Sequence, residues 1–310
     1  MVTYTDLHTM ELHSPAAVAI GFFDGIHVGH RKVLDSMMGY EQEGLSSCVF
    51  SYTVSGHLPQ AKTGLRYLRP LSLKRRYLED LGVDILAMPE FESFSSLTPE
   101  EFARDILRDK LHAQVVCCGS DLRYGKNACA DASHLVEDGK RFGFHVEIVP
   151  PVCVDGRKVS SCLIREYIRE GRVDRANQLL DRPFALDFEV IGGNRLGRTM
   201  EFPTINQALP EQFVIPKFGV YASIALVEGK DYPAVTNVGV KPTIGSDRIL
   251  AETHIVGYKG DLYGQYIEVR LLQFIRPEQK FSGVTQLKAQ IARDTRNSVE
   301  YLKKAKGCTW

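Results

Sequence analysis

Short apolar runs alternate with longer segments of helical spacing over roughly the first 180 residues. An unbroken apolar run is typical of a strand buried on both faces, and apolar residues three or four positions apart are typical of a helix. Strands and helices in alternation predict a Rossmann-like α/β domain, with a parallel sheet between helices. The predicted strands are 17–21, 45–51, 85–88, 114–119 and 145–148, and the predicted helices include 72–81 and 99–110.

The pattern changes after Pro183, where short strands separated by Gly, Pro and Asn follow one another. Their even spacing predicts a small antiparallel β-barrel or sandwich. Helical spacing returns near the end of the chain and predicts terminal helices. We therefore predict one domain over 1–180 and a second over 181–310. The predicted strands of the second domain are 184–191, 220–227, 234–238, 251–255 and 267–274, and its predicted helices are 284–294 and 298–304.

The composition fits two ordinary globular domains, with 310 residues of which 44% are hydrophobic and 25% charged. Lys plus Arg equals Asp plus Glu at 38 each, so the strongly basic face of a nucleic-acid-binding protein is not expected. The sequence shows neither a typical N-terminal leader nor a run of about 20 apolar residues. We predict a cytoplasmic protein without nucleic-acid or membrane partners, and the sequence leaves the oligomeric state open.

The chain has seven cysteines, an odd number without CxxC spacing. This pattern predicts neither a disulfide framework nor a zinc site. Cys117 and Cys118 have apolar neighbours, and in such surroundings cysteine usually acts as a small buried hydrophobe.

A glycine-rich turn with two histidines joins the first predicted strand to a helix. Glycine lets the backbone approach a phosphate closely, and a helix N-terminus supplies N–H groups and a positive dipole end. His27 and His30 lie one turn apart, so both imidazoles can face one anion. The alternative is a structural turn with two incidental surface histidines. The other candidate phosphate-binding residues of the turn are Gly21, Phe22, Asp24 and Gly25.

Two later stretches can complete that site, because ligands of such sheets bind at the carboxyl ends of the strands. Asp121 follows the strand 114–119 in a second glycine turn, although a solvated turn is equally compatible with the composition. Ser161 and Arg165 begin a helix, where a hydroxyl, backbone N–H groups and a guanidinium can bind phosphate. The alternative for the serine is a helix N-cap.

The second domain has its own glycine turn at 192–199. The turn nearly matches the P-loop pattern, with Arg198 in place of lysine. A P-loop must open a helix, however, and Pro203 follows too soon for that. A glycine loop over a nucleotide in a β domain remains possible, with Gly192, Gly197 and Arg198 as its candidate binding residues.

Three polar residues downstream are candidates for phosphate chemistry. Thr204 and Asn206 are two positions apart, so in a strand they face the same way and can hold Mg²⁺ together with waters and nucleotide phosphates. Glu252 lies in a strand-like run with no Lys or Arg immediately beside it. It is a candidate catalytic acid or base, and the alternative is an exposed carboxylate without a catalytic role.

These residues lie in longer segments that resemble one family, the bifunctional prokaryotic riboflavin kinase/FAD synthetases. The likeness covers essentially the whole chain, and many ordered matches are more specific than any one motif. The matching segments are GFFDGIHVGH at 21–30, LGVDILAMPEF at 81–91, GSDLRYG at 119–125, VSSCLIRE at 159–166, GRTMEFPTIN at 197–206, FGVYAS at 218–223, TNVGVKPT at 236–243, AETHI at 251–255, GDLYGQYIEV at 260–269 and IRPEQKF at 275–281.

The resemblance implies a nucleotidyltransferase-like α/β first domain that moves AMP from ATP to FMN, giving FAD and pyrophosphate. His27 and His30 would offset the charge that grows on the ATP phosphates, and Asp121, Ser161 and Arg165 would line the same site.

The resemblance also implies a β-barrel second domain that phosphorylates riboflavin with ATP and Mg²⁺. Glu252 would be the general base that deprotonates the riboflavin hydroxyl. Thr204 and Asn206 would hold Mg²⁺ with the ATP phosphates, and the loop 192–198 would cover them.

The chain departs from the family mainly in the first domain. The usual Thr-Phe-x-Pro-His-Pro segment is replaced at 51–56, and Cys162 stands where threonine is usual. A lost hydrogen bond to a charged group is worth about 1.5–3 kcal/mol. Two alternatives therefore stay open. One is a riboflavin kinase whose degenerate first domain only binds nucleotide or flavin, and the other is a non-catalytic flavin-binding protein.

Overall fold

The computed structural model describes residues 1–54, 66–192, 202–243 and 246–305. The chain divides into two compact units: unit 1 comprises 1–65 and 74–160, and unit 2 comprises 66–73 and 161–310. This division differs from the predicted boundary near residue 180. The reason is that the helical segment 161–179 packs on the second unit, where the Asn177 amide donates to the Leu271 carbonyl over 2.9 Å.

Unit 1 is built on the parallel sheet that the sequence predicts. Its strands are β1 (Val2–Tyr4), β2 (Ala16–Ile20), β3 (Ser46–Phe50), β4 (Ile85–Ala87), β5 (Ala113–Gly119), β6 (Arg123–Tyr124), β7 (Ala130–Asp131), β8 (His145–Val149), β9 (Cys153–Val154) and β10 (Arg157–Lys158). Six of them form the sheet in the order β1-β4-β3-β2-β5-β8, with every pairing parallel. The strand β2 is buried at every position, which explains its unbroken apolar run.

The helices of the first 160 residues are α1 (Val28–Gly39), α2 (Leu71–Asp80), α3 (Pro99–Glu101) and α4 (Ala132–Phe142). After α3 the chain continues as a π-helix over Phe102–Lys110. Together these two segments span the helix predicted at 99–110. Short 3₁₀ turns lie at Tyr40–Glu43, Phe91–Ser93 and Lys126–Ala128.

The strand order places two predicted site segments next to each other. From β2 the chain moves to β3 and β4 on one side, and it then crosses to β5 on the other side of β2. Such a reversal opens a crevice at the carboxyl ends of the two strands, where α/β sheets bind ligands. Ile20 pairs with Cys118 at these ends. The glycine and histidine turn after β2 and the Asp121 turn after β5 therefore leave the sheet side by side.

Unit 2 is the closed antiparallel barrel that the sequence predicts. Its order is β11-β12-β15-β14-β13-β16. The elements of unit 2 are α5 (Ser161–Glu170), α6 (Val173–Leu179), β11 (Ala185–Ile191), β12 (Thr204–Ala208), β13 (Gly219–Val227), β14 (Lys230–Thr243), β15 (Ser246–Ile255), β16 (Tyr266–Arg276) and α7 (Val284–Ala305).

No helix among the described ranges of either unit is long and apolar enough to cross a membrane.

Unit 2 differs from the prediction in several elements. β12 (Thr204–Ala208) was not among the predicted strands, and β15 (Ser246–Ile255) begins five residues before the predicted strand at 251–255. β14 begins four residues before the predicted strand at 234–238, because Glu228 and Gly229 form a two-residue turn with φ of 50° and 75° that pairs Val227 with Lys230. The end of the chain forms one helix, α7, rather than two. Its Ser298 is buried and donates to the Ala234 carbonyl over 2.8 Å, which secures the middle of the helix on the barrel.

Candidate active sites

The glycine and histidine turn of unit 1 has a strained backbone. Phe23 and Ile26 have φ of 49° and 45°, in the left-handed region that such residues seldom adopt, and Gly25 has φ of 88°. Strained residues of this kind cluster at ligand sites and persist where the surroundings hold them. Both side chains are buried, as is Asp24, and a Cβ atom at Gly21 would lie 3.1 Å from the Phe23 ring, closer than an ordinary van der Waals contact. Core packing therefore fixes the turn.

His27 and His30 lie side by side at the start of α1. His27 is the N-cap, because its Nδ1 accepts a hydrogen bond from the backbone N–H of His30 at 3.1 Å. The two rings stack with centroids 3.6 Å apart and 12° between their planes. Since Nδ1 of His27 is an acceptor, the neutral ring carries its proton on Nε2. The structure thus places two imidazoles at the positive end of a helix dipole.

Asp121 lies in the neighbouring turn and is paired with a lysine that the sequence did not single out. Lys158 Nζ is 2.8 Å from Asp121 Oδ2. Partial desolvation acts to raise the pKa of Asp121. The hydrogen bond and charge of Lys158, with a smaller contribution from His27, outweigh it and hold the pKa below its usual value. Asp121 is therefore an ionised carboxylate at neutral pH.

A second lysine missed by the sequence prediction, Lys74 on α2, contacts the strained turn. It is only 7% exposed. Its Nζ lies 2.7 Å from the carbonyl oxygen of Phe22 and 2.5 Å from Ser51 Oγ, and Ser51 Oγ also donates to the Phe22 carbonyl over 3.0 Å. The Phe22 ring packs on Tyr52 with centroids 4.8 Å apart. The divergent segment that begins at Ser51 therefore still contacts the turn.

Ser161 and Arg165 belong to unit 2. Ser161 is the first residue of α5. Arg165 is buried, and its Nε donates to the carbonyl of Arg66 over 2.7 Å. A terminal nitrogen of Arg165 is 4.0 Å from Cys162 Sγ. Arg165 thus contacts the segment 66–73 of its own unit, and a phosphate-binding role for Ser161 and Arg165 remains a prediction.

Three neighbouring barrel strands bring the candidate residues of the second domain together. Asn206 on β12 lies opposite Glu252 on β15, and Glu252 lies opposite Asn237 on β14. Thr204 lies opposite His254. Residues directly opposite in an antiparallel pair project on the same face, with Cβ atoms about 4.5–5.5 Å apart. One face of the barrel wall therefore carries the row Asn206, Glu252 and Asn237, with the Thr204 pair beside it.

This row lies on the outer face of the barrel wall. The alternate residues Thr236 and Thr253 are fully buried and hydrogen-bond to each other over 2.9 Å inside the barrel. Glu252 is half-buried, Asn206 is 7% exposed and Thr204 is exposed. The carboxylate of Glu252 is therefore on a partly sheltered surface that a substrate can reach.

The sequence prediction missed two residues of this face. Asn237 Nδ2 donates to a Glu278 carboxylate oxygen over 3.1 Å. His254 Nδ1 lies 3.0 Å from the Pro203 carbonyl oxygen, next to Thr204. Alternation along β15 could have indicated His254, since it lies two residues after Glu252. Asn237 has no such local signal, because only the pairing of two strands brings it to Glu252.

A pocket of about 90 Å³ opens beside Thr204. Its walls come from β11, β12 and β15 and from the segment 258–263. Gly192 follows β11 directly and is exposed. The remaining candidates of that glycine turn, Gly197 and Arg198, lie outside the described residues.

The donor sets of the two sites suit different ligands. The turn of unit 1 combines a helix N-terminus with imidazoles, which favours an anion such as phosphate. The barrel face combines the Thr204 hydroxyl, the Asn206 amide and the Glu252 carboxylate. Oxygen donors of this kind fit Mg²⁺, which usually keeps several waters and binds substrate phosphates at the same time.

Comparison with known proteins matches the two parts of the chain to two different families. A family model described as FAD synthetase matches residues 9–163, and one described as riboflavin kinase matches residues 180–302. A solved structure titled as a macrolide-efflux protein from Streptococcus pneumoniae has a TM-score of 0.81 and 28% identity, and the match covers 96% of this chain and 98% of that one.

Three relatives carry the same description, bifunctional riboflavin kinase/FMN adenylyltransferase. The protein of Listeria monocytogenes is 35% identical over 96% of this chain and 99% of its own length. Those of Escherichia coli K12 and Bacillus subtilis are 36% and 32% identical, over 92% and 94% of both chains. With both domain models matched in order and relatives similar over nearly the whole length, the chain belongs to the family of bifunctional riboflavin kinases/FMN adenylyltransferases.

Proposed function

We propose that the two activities of this family are carried by two separate sets of residues in this chain. In the first reaction the terminal phosphoryl group of ATP passes to riboflavin, giving FMN and ADP. In the second, AMP passes from ATP to the phosphate of FMN, giving FAD and pyrophosphate. The barrel face of unit 2 serves the first reaction and the histidine turn of unit 1 serves the second.

In the kinase reaction, Glu252 accepts the proton of the riboflavin 5′-hydroxyl as that oxygen attacks ATP. The Asn206–Glu252–Asn237 row is the observation that carries this assignment, because it places one carboxylate between two neutral amides. Thr204 and Asn206 are the residues that would hold Mg²⁺, which when bound neutralises charge on the ATP phosphates. The pocket of about 90 Å³ beside Thr204 adjoins these candidate metal ligands and would receive part of the ATP molecule.

In the adenylyl transfer, His27 and His30 bind and neutralise the phosphates of ATP while pyrophosphate leaves. The attacking group is the phosphate of FMN, which already carries negative charge at neutral pH. This step therefore needs counter-charge and alignment rather than a general base. Gly21, Phe22, Asp24 and Gly25 shape the turn, Asp121 borders it, and Ser161 and Arg165 are proposed to add to the phosphate contacts.

In the kinase site, Gly192, Gly197 and Arg198 are proposed to cover the nucleotide.

The experiment is an assay that resolves FMN from FAD, with riboflavin or FMN as substrate, ATP and Mg²⁺. Glu252→Gln is expected to slow FMN formation by about a hundredfold or more, the usual scale for a lost general base. The variant should still convert added FMN to FAD. Glu228→Gln, at the exposed hairpin turn of the same barrel, is the matched control and should behave as the parent.

FMN formation at the parent rate in Glu252→Gln would refute the base. Absence of FAD from the parent protein would leave a kinase alone. A flavin that binds without turnover would leave a non-catalytic binding protein. The cytoplasmic location and the absence of nucleic-acid and membrane partners remain predictions from the sequence.

A further inference from the structure

Lys74 is a buried cation that the assignments above do not use. Lysine is almost never this buried unless its ammonium is paired, because moving a charge out of water is costly. At 7% exposure its Nζ lies 2.7 Å from the Phe22 carbonyl oxygen and 5.4 Å from the centroid of the Phe22 ring. Ser51, which is fully buried, donates to the same carbonyl. Two donors from different elements therefore converge on one backbone oxygen.

That oxygen belongs to the peptide that leads into the strained part of the turn. The next residue, Phe23, has φ of 49°, and His27 follows after Gly25 and Ile26, which also have positive φ. The peptide unit is planar, so fixing its carbonyl fixes the orientation of the whole group. A charged donor makes a stronger hydrogen bond than a neutral one. The ammonium thus opposes relaxation of the turn at the point where the strain begins.

We propose that Lys74 is a positioning residue for adenylyl transfer, which holds the Phe22 carbonyl so that the turn presents His27 and His30 in one fixed geometry. The proposal rests on the assignment of those histidines to the ATP phosphates. Lys74 acts through the backbone and needs no contact with substrate. Its effect should appear in the rate of the chemical step, since misplacing a catalytic group costs rate even when the substrate still binds.

The test compares Lys74→Met, which removes the charge, with Lys74→Arg, which keeps it. The control is Arg75→Met on the exposed side of the same helix. We expect Lys74→Met to lower kcat for FAD formation by about tenfold to a hundredfold with little change in KM for ATP. Lys74→Arg should recover most of the rate and Arg75→Met should lose none. Riboflavin phosphorylation by the same samples should stay at the parent rate.

A double-mutant cycle with His30→Ala shows whether the lysine acts through the histidines. If it does, Lys74→Met costs much less rate in the His30→Ala protein than in the parent. Equal losses in both backgrounds would overturn the proposal, as would parent-like FAD formation by Lys74→Met. If Lys74→Met loses rate together with a lower unfolding temperature, and Lys74→Arg does not recover the rate, the role of Lys74 is purely structural and the proposal fails.

The two hypotheses fail in different ways. If His30→Ala forms FAD at the parent rate while Lys74→Met is slow, the proposed role of the histidines is rejected. The proposal that Lys74 acts by positioning them is then rejected as well. Should Lys74→Met not fold, Ser51→Ala removes the other donor to the Phe22 carbonyl with a smaller change in volume. A lowered kcat at unchanged KM is expected there too, and a parent-like kcat would overturn the proposal.

Discussion

The histidine turn of unit 1 and the outer face of the barrel are both proposed to serve reactions of ATP, yet they are built from opposite chemistry. The turn offers a helix N-terminus, two stacked imidazoles and a strained backbone. The barrel face offers Thr204, Asn206 and Glu252 on regular strands. One site is built on backbone conformation and the positive end of a helix dipole, and the other on cross-strand pairing and oxygen donors.

The difference follows from the two nucleophiles. The phosphate of FMN is charged before it attacks, whereas the hydroxyl of riboflavin must lose a proton as it attacks. A base is needed only for the hydroxyl, and Glu252 is half-buried on the barrel. The other reaction has no need of a carboxylate acting as a base. On the proposed assignments, the comparison teaches that the charge of the acceptor decides whether the site needs a base.

The largest effect is expected from removing both imidazoles. His27→Ala/His30→Ala should lower FAD formation from FMN by about a hundredfold or more, because each preorganised donor to a developing charge is worth that much. FMN formation should stay at the parent rate, which makes the second reaction of the same chain the internal standard. Equal losses in both reactions would contradict the separation of the two sites.

His27 also caps α1, so its removal has a structural cost of about 0.5–2 kcal/mol. His27→Asn in a His30→Ala background separates the two roles, since asparagine is a good N-cap without an imidazole. Its unfolding temperature should return toward that of the parent while FAD formation stays low. Recovered FAD formation would mean that the cap, rather than the imidazole, matters.

A smaller loss is expected when one of the proposed Mg²⁺ ligands of the barrel is removed. Asn206→Ala should raise the Mg²⁺ concentration needed for FMN formation by about tenfold or more, the scale seen when support for a metal is lost. FAD formation should keep its parent Mg²⁺ dependence. Asn297→Ala, at an exposed position on α7, is the control. An unchanged Mg²⁺ requirement in Asn206→Ala would remove this residue from the metal site.

A gain is expected at the position where the chain departs from its family. Cys162→Thr supplies a hydroxyl at the start of α5. If Ser161 and Arg165 take part in adenylyl transfer, a new hydrogen bond to a phosphate is worth about 1.5–3 kcal/mol, or about tenfold or more in rate. Measured rates of FAD formation at saturating FMN and ATP check this. A Cys162→Thr protein with parent rates would place the position outside the phosphate contacts.

The smallest effect concerns the cysteines of the parallel sheet. Burial raises the pKa of Cys48, Cys117 and Cys118 to about 12. A raised pKa means that the reactive thiolate forms only far above neutral pH. An alkylating reagent at mildly alkaline pH should therefore leave these three unmodified in the native protein, and mass spectrometry should find the label on exposed Cys129 and Cys153. Labelled Cys117 would mean that the sheet opens.

Much of unit 1 could be predicted because its information is local. The strand β2 is an unbroken apolar run, and it was predicted at 17–21 against an observed Ala16–Ile20. The order of strands is not local, so the meeting of the two turns at the carboxyl ends of β2 and β5 appeared only in the structure. The short strand β1 has three residues and gives no periodicity to detect.

The residues missed at the sites depend on tertiary contacts. Asn237 is one polar residue in a long strand until pairing brings it opposite Glu252. Lys74 resembles any helical lysine, but one signal was available. Tyr77 and Leu78, three and four positions later, are both buried, so Lys74 lies on the apolar face of α2. A charge at such a position deserves a search for its partner.

The eight-residue segment 66–73 carries a practical lesson for dissecting this enzyme. Tyr67 forms a β-bridge with Phe213, and Arg69 donates to the Arg182 carbonyl over 2.9 Å. The segment 66–73 therefore packs with the barrel, although in sequence it lies between the two parts of unit 1. A protein that begins at residue 161 would lack the segment 66–73, which packs with the barrel. To express the two units separately, the gene must be rearranged so that residues 66–73 stay with residues 161–310. A single cut at residue 160 does not achieve this.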